Sequence, residues 1–149
     1  RFIMNQSDKE RINQLDGLHT LWYENGQKKQ EITYKDSLIL DRLETWWYEN
    51  GQKMQEKTYK DGKKDGLETW WYENGQKKKE GTYKDEKQDG LWTYWYENGQ
   101  KKKEGTYKDG KQDGLWTCWY ENGQKKSKIT YKNGEIFQVL NRWMNMGPF

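Results

Sequence analysis

The sequence predicts an all-β fold, a single-layer antiparallel β-meander built from tandem 24-residue β-hairpin repeats, with irregular caps at both ends. First, the string Trp-Tyr-Glu-Asn-Gly-Gln-Lys recurs at intervals of 25, 24, 24 and 24 residues, which is the signature of a repeat array. Second, every copy contains Asn-Gly, the strongest short signal for a hairpin turn. Third, only 31% of residues are hydrophobic and the mean hydropathy is −1.51, too polar for two facing sheets.

One repeat, residues 90–113, shows how each element is assigned. Its outgoing strand is the run of β-branched and aromatic residues from Leu91 to Tyr96. Asn-Gly then predicts a type I′ turn, which needs positive φ at both central residues, and the return strand runs from about Gln100 to Lys108. Asp-Gly closes the unit with a second turn. The turns of the five copies are predicted at Asn25, Asn50, Asn74, Asn98 and Asn122.

A two-residue loop at Asn98-Gly99 fixes the predicted pairing within the repeat. It pairs Glu97 with Gln100, Tyr96 with Lys101, Tyr94 with Lys103 and Trp92 with Gly105. The last pair resembles an aromatic side chain covering a strand glycine.

Alternation along the strands places two aromatic rows on opposite faces, interleaved with lysine. One face carries a tryptophan row with members roughly 9.6 Å apart, at two strand spacings. The other face carries a tyrosine row. These rows stabilise the sheet by packing, or they bind a partner, and the sequence leaves both interpretations open. The candidate partner-binding residues are Trp47, Trp71, Trp95, Trp119, Tyr72, Tyr96 and Tyr120.

The chain divides into an N-terminal cap at residues 1–16, five repeats at 17–134 and a C-terminal cap at 135–149. The segment from Ser37 to Arg42 lacks the turn glycine and adds one residue. Because an odd insertion would flip all later side chains, we expect a bulge or longer loop there to absorb it.

No residue pair in the sequence suits catalysis. The only cysteine, Cys118, forms no disulfide within the chain, and the only histidine, His19, lies eight strands away, roughly 38 Å across a flat meander. The segments 61–65 and 109–113 each hold two aspartates, but they lack the glutamate of a calcium loop and favour turns. We therefore expect no enzyme activity, no cofactor and no metal.

The charge balance disfavours nucleic acid as a partner. The net charge is +3, from 27 basic and 24 acidic residues, and the acidic residues of each copy oppose phosphate binding. No apolar run reaches the 18 residues of a membrane-spanning helix. A membrane surface, the oligomeric state and localisation stay open: we expect a cytoplasmic protein, or a secreted or cell-surface one if a signal peptide preceded Arg1.

The repeat resembles the variant MORN repeat, the module that fills YwqK-type antitoxins and related repeat proteins. The resemblance rests on the W-Y-E-N-G-Q-K core, on the following T-Y-K-D-G, and on the glycines Gly66, Gly90 and Gly114, and covers about residues 17–134. It implies a repeated hairpin sheet without an active site. We expect a scaffold that binds an unknown protein partner, such as an antitoxin or immunity protein. The alternative is a secreted or surface-exposed repeat protein that contacts host cells or membrane.

Overall fold

A computed structural model describes residues 17–35 and 38–141 of the chain, and these form one antiparallel sheet of eleven strands in chain order. This confirms the predicted all-β meander. The strands are β1 (Leu18–Trp22), β2 (Lys28–Lys35), β3 (Leu38–Trp47), β4 (Lys53–Lys60), β5 (Lys63–Trp71), β6 (Lys77–Lys84), β7 (Lys87–Trp95), β8 (Lys101–Lys108), β9 (Lys111–Trp119), β10 (Lys125–Lys132) and β11 (Glu135–Asn141). The expected N-terminal cap at 1–16 lies outside the described residues. Within them, no helix has the length and apolar character needed to cross a membrane.

The Asn-Gly turns lie where the sequence places them, but the predicted turn type is wrong. The Tyr96 carbonyl accepts the Gly99 N–H at 3.0 Å, and the Tyr96 N–H donates to the Gln100 carbonyl at 2.9 Å. Gly99 has a φ of +87°, whereas Asn98 has no positive φ. The loop is therefore a three-residue type I turn closed by a glycine bulge. The Asn98 side chain accepts the Gln100 N–H at 2.9 Å, a local bond that holds the turn in this form.

Type I′ turns occur instead at the other ends of the strands, where a return strand connects to the next repeat. Asp109 and Gly110 have φ values of +50° and +79°, and the flanking residues Lys108 and Lys111 pair directly. The turn between β6 and β7 takes the same form with Asp85 and Glu86 in place of Asp-Gly.

The three-residue loop changes the register near each Asn-Gly turn. The predicted pairs Trp92 with Gly105 and Tyr94 with Lys103 are confirmed, but Trp95 pairs with Lys101 across a bulge. The predicted pair of Tyr96 with Lys101 is wrong, and so is that of Glu97 with Gln100. As a consequence Lys101 shares the face of Trp95, while the Lys102 ammonium lies 5.6 Å from the Tyr96 ring.

A second irregularity follows the turns that lead into β5, β7 and β9. Between β6 and β7, Thr82 pairs with Asp89 and Glu80 pairs with Thr93, so that Gly81 faces three residues, 90–92. An excess of two residues preserves the alternation of faces. The extra residue of the irregular linker is likewise absorbed by a register shift between Tyr34 and Lys35.

Candidate functional site

One face of the sheet, here called the Leu/Trp face, carries an exposed row of leucines. In the hairpins these leucines lie directly opposite threonines; Leu91, for example, pairs with Thr106. Between hairpins the threonines pair with aspartates, as Thr82 does with Asp89 and Thr106 with Asp113, so the leucines alternate along the row with polar residues. The exposed fractions are 54% for Leu18, 39% for Leu43, 50% for Leu67, 56% for Leu91 and 54% for Leu115.

The predicted tryptophan row lies on the same face and is half-buried. A lysine from the preceding return strand covers each ring, with the ammonium 5.5 to 5.9 Å from the ring centroid. The four pairs are Lys28 with Trp47, Lys53 with Trp71, Lys77 with Trp95 and Lys101 with Trp119.

Each of these lysines is neutralised on the same face. Lys101 forms an ion pair with Glu104 at 2.9 Å, and the Thr93 hydroxyl donates to the same carboxylate at 2.7 Å. Burial alone would raise the pKa of Glu104, but the hydrogen bonds from Thr93 and Lys101 and the lysine charge outweigh it and lower the pKa. The same Lys–Glu pair recurs at 2.7 to 2.9 Å in the three preceding copies. The tryptophan row therefore has no surplus positive charge.

The predicted tyrosine row connects consecutive hairpins. The Tyr72 hydroxyl donates to the Trp95 carbonyl and the Tyr96 hydroxyl to the Trp119 carbonyl, both at 2.8 Å. Tyr120 belongs to the last Asn-Gly hairpin and is 36% exposed. Of the candidate partner-binding residues, the four tryptophans thus form one row, whereas Tyr72 and Tyr96 bridge repeats.

The opposite face, here called the core face, holds the most buried rings in its C-terminal half. Trp92 is fully buried, and its indole N–H donates to the Thr82 carbonyl at 3.0 Å. The Tyr83 ring meets it edge-on at 5.3 Å. The Trp92 ring covers Gly81 of the preceding return strand and not its paired residue Gly105, since Gly81 faces the irregularity at 90–92 that follows the turn at Asp85 and Glu86. Trp116 covers Gly105 in the same way.

The N-terminal half of the core face is ionic. Where later copies have Trp92 and Trp116, the earlier copies have Glu44 and Glu68, and Lys57 lies directly opposite both carboxylates. We call this group the ionic cluster; its members are Arg42, Glu44, Lys57, Lys64, Glu68 and Lys79. Sequence reasoning missed it, although charged residues at positions that carry Trp or Gly in other copies were the available signal.

Aromatic rings border the ionic cluster. The Lys57 and Lys79 ammonium groups both lie over the Trp70 ring, at 5.3 and 4.7 Å from its centroid. The Arg42 guanidinium stacks on Tyr59 at 3.9 Å. A groove of about 650 Å³ is lined by residues of both faces, with Thr33, Leu43 and Thr58 of the leucine row beside Arg42 and Tyr59, and none of the cluster's lysines lines it.

The described residues bring together no familiar catalytic or metal-binding arrangement. His19 lies in β1 and Cys118 in β9, eight strands apart in the sheet. In the described part of the chain, no three His, Cys, Asp or Glu side chains are grouped closely enough to hold a metal ion. Asp61 and Asp109, the first residues of the two aspartate-containing segments 61–65 and 109–113, have φ values of +51° and +50° and form turns.

Two solved structures resemble part of this chain at low sequence identity. The crystal structure of TarM, at 10% identity and a TM-score of 0.40, aligns with 74% of this chain and 25% of that chain. The structure of a mutant of S. aureus TarM in complex with fondaparinux, alpha-GlcNAc-glycerol and UDP gives the same identity and TM-score, covering 76% of this chain and 24% of that one. The chain thus spans about a quarter of the length of these structures. No curated protein matches the sequence.

The family comparison covers most of the chain. The MORN repeat variant matches residues 15–36, 43–61, 64–85, 88–109 and 112–133, one segment for each hairpin repeat. The chain belongs to the MORN repeat variant family.

Proposed function

We propose that this chain is a non-enzymatic scaffold that binds a protein partner through the Leu/Trp face. The observation that carries the proposal is the exposed leucine row, repeated in register over five copies. Single exposed apolar residues are ordinary on protein surfaces, but the same exposed leucine repeated in every copy along one face makes that face a candidate interaction site. The adjacent half-buried tryptophans add the residue type most enriched at interface hot spots.

The charges of this face favour a protein over a polyanion. Its lysines, such as Lys77 and Lys101, already form ion pairs with glutamates. A phosphate backbone would have to break these pairs, whereas an apolar protein surface would not. A neutralising role, as in an antitoxin or immunity protein, is the specific form of this proposal that the repeat family suggests.

The test uses a triple variant, Leu67→Thr, Leu91→Thr and Leu115→Thr. Threonine already occupies the neighbouring strands of this row and suits a β-strand, so we expect the fold to persist. The matched control changes one exposed turn residue in each of the same copies, Glu73→Gln, Glu97→Gln and Glu121→Gln.

We expect proteins retained by the unaltered chain and by the control, identified by mass spectrometry, to be lost from the leucine variant. The strongest of them, purified, should bind the leucine variant at least about tenfold more weakly, since one or two buried leucines contribute that much. Equal binding by both variants would overturn the proposal. Binding to phosphatidylcholine vesicles that depends on the same leucines, without a protein partner, would replace it with the membrane alternative.

A further inference from the structure

The ionic cluster holds more positive charge than its own carboxylates neutralise. Arg42 pairs with Glu44 at 2.8 Å, which leaves Lys57, Lys64 and Lys79 around the single carboxylate of Glu68. Lys64 contacts that carboxylate at 3.1 Å. Three ammonium groups around one carboxylate leave a surplus of two positive charges.

This surplus lies in a partly desolvated place. Glu68 is 3% exposed, and the Lys57 and Lys79 ammonium groups both lie within 5.3 Å of the centroid of the Trp70 ring. Burial lowers the pKa of both lysines, and for Lys57 the neighbouring charge of Lys64 lowers it further. The three lysines come from the neighbouring strands β4, β5 and β6, and their ammonium groups lie over the rings of Trp70 and Tyr83.

We propose that the ionic cluster binds a divalent oxyanion of the phosphate-monoester type, with Lys57, Lys64 and Lys79 as its ligands. A phosphate monoester carries between about 1.5 and 2 negative charges at neutral pH, which matches the surplus. Lysine ammonium groups bind phosphate as point charges with freely rotating donors. The bordering rings of Tyr59, Trp70 and Tyr83 provide apolar surface for the organic group that carries the phosphate.

The chain itself shows that this arrangement is not needed for the fold. In the next copy Gly81 and Trp92 replace the Lys57 and Glu68 of the cluster, and the sheet continues unchanged. Lys103 occupies the position of Lys79 one copy later, with its ammonium 4.6 Å from the Tyr94 ring, while Trp92 and Gln88 stand where the cluster has Glu68 and Lys64. The surplus charge is therefore specific to the N-terminal half of the core face.

Calorimetric titration of the full chain with inorganic phosphate, with phenyl phosphate and with acetate tests the proposal. We expect saturable binding of the two phosphates and not of the monovalent acetate. Tighter binding of phenyl phosphate would identify an aryl ester as the ligand, and equal binding would identify the free anion. Lys79→Gln should weaken binding about tenfold or more, the effect of losing one charge-assisted hydrogen bond. The matched control Lys103→Gln should leave it unchanged.

Two further variants separate a binding defect from a folding defect. Glu68→Gln removes the competing carboxylate and should tighten phosphate binding. The exchange Lys57→Gly with Glu68→Trp reproduces the Gly81–Trp92 pair, so it should keep the β-sheet spectrum and abolish binding. If Lys103→Gln weakens binding as much as Lys79→Gln, or if the exchange variant still binds, phosphate is an adventitious ion only and the proposal fails. Because the cluster and the Leu/Trp face are on opposite sides of the sheet, this result leaves the partner-binding proposal untouched.

Discussion

The contact between Gly81 and Trp92 allows a double-mutant test of how the core face is built. A Cβ atom added at Gly81 would lie closer than 3.0 Å to three atoms of the Trp92 ring. Gly81 has no positive φ, so alanine meets no backbone strain there and the effect of the substitution is steric. The ring has to move, and in moving it loses the bond from its N–H to the Thr82 carbonyl.

The expected cost of Gly81→Ala follows from these two effects. Overpacking a filled site costs about 1–3 kcal/mol. An orphaned buried hydrogen-bonding group costs about 1–3 kcal/mol. Trp92→Ala alone should cost about 3–5 kcal/mol, the usual range for a buried large aromatic. Once the ring is gone, Gly81→Ala should be neutral or stabilising by up to about 1 kcal/mol, since glycine is unfavourable within a strand.

Urea unfolding of the four proteins, followed by circular dichroism, measures the coupling. We expect an interaction energy of about 2 kcal/mol or more, well above the roughly 0.5 kcal/mol within which independent sites add. The pair Gly105 and Trp116 repeats the geometry one copy later and should give the same result. Additive effects at both pairs would show that the tryptophans do not pack on these glycines.

Three other predictions follow from the repeat geometry. Tyr72→Phe should cost about 1 kcal/mol in urea unfolding because it removes the bond to the Trp95 carbonyl, whereas Tyr120→Phe, in the last Asn-Gly hairpin, should stay within about 0.5 kcal/mol. Burial, and then the Tyr94 hydroxyl, raise the pKa of Tyr107, so its contribution to stability is complete below pH about 10 and is lost as pH rises further. The stability difference between the unaltered chain and Tyr107→Phe should shrink above that pH, and a constant difference would contradict the burial. Deleting 90–113 should preserve the β-sheet spectrum, because joining Asp89 to Gly114 recreates the existing step from Asp113 to Gly114; loss of the spectrum would refute this.

The sequence predicts the strands, the turn positions and the two faces because all three depend on local patterns. It fails on the turn types, since Asn98 bonds the Gln100 N–H through its side chain and leaves positive φ to Gly99 alone. Because the loop has three residues and not two, the observed register next to the turn differs from the predicted one. Lys101 and Lys102 each lie on the face opposite to the predicted one. Period and composition are insensitive to a one-residue bulge, which only the three-dimensional pairing reveals.

Of the two candidate sites, the sequence predicts the tryptophan row but not the ionic cluster. The tryptophan row follows from alternation, and the structure places its members together. The ionic cluster does not follow, because it consists of departures from the repeat pattern that matter only when they meet across strands. Glu44, Lys57 and Glu68 belong to three consecutive strands, and their sequence separations of 13 and 11 residues give no sign that they lie side by side.

The two halves of the core face represent two ways of filling the same backbone position. In the C-terminal half, a ring over a glycine buries apolar surface, which stabilises the sheet without any unpaired charge. In the N-terminal half, Glu68 is buried and Lys57 is half-buried, and a desolvated ion pair contributes little or nothing to stability unless every charge is compensated. Because the aromatic pair is present in the same chain and fits the same strands, the ionic pair is not a requirement of the fold. A sheet in which each repeat is supported mainly by its neighbours can retain such a pair where the adjoining copies supply the stability. The surplus charge of the ionic cluster is thus better explained by a ligand than by the architecture that holds it.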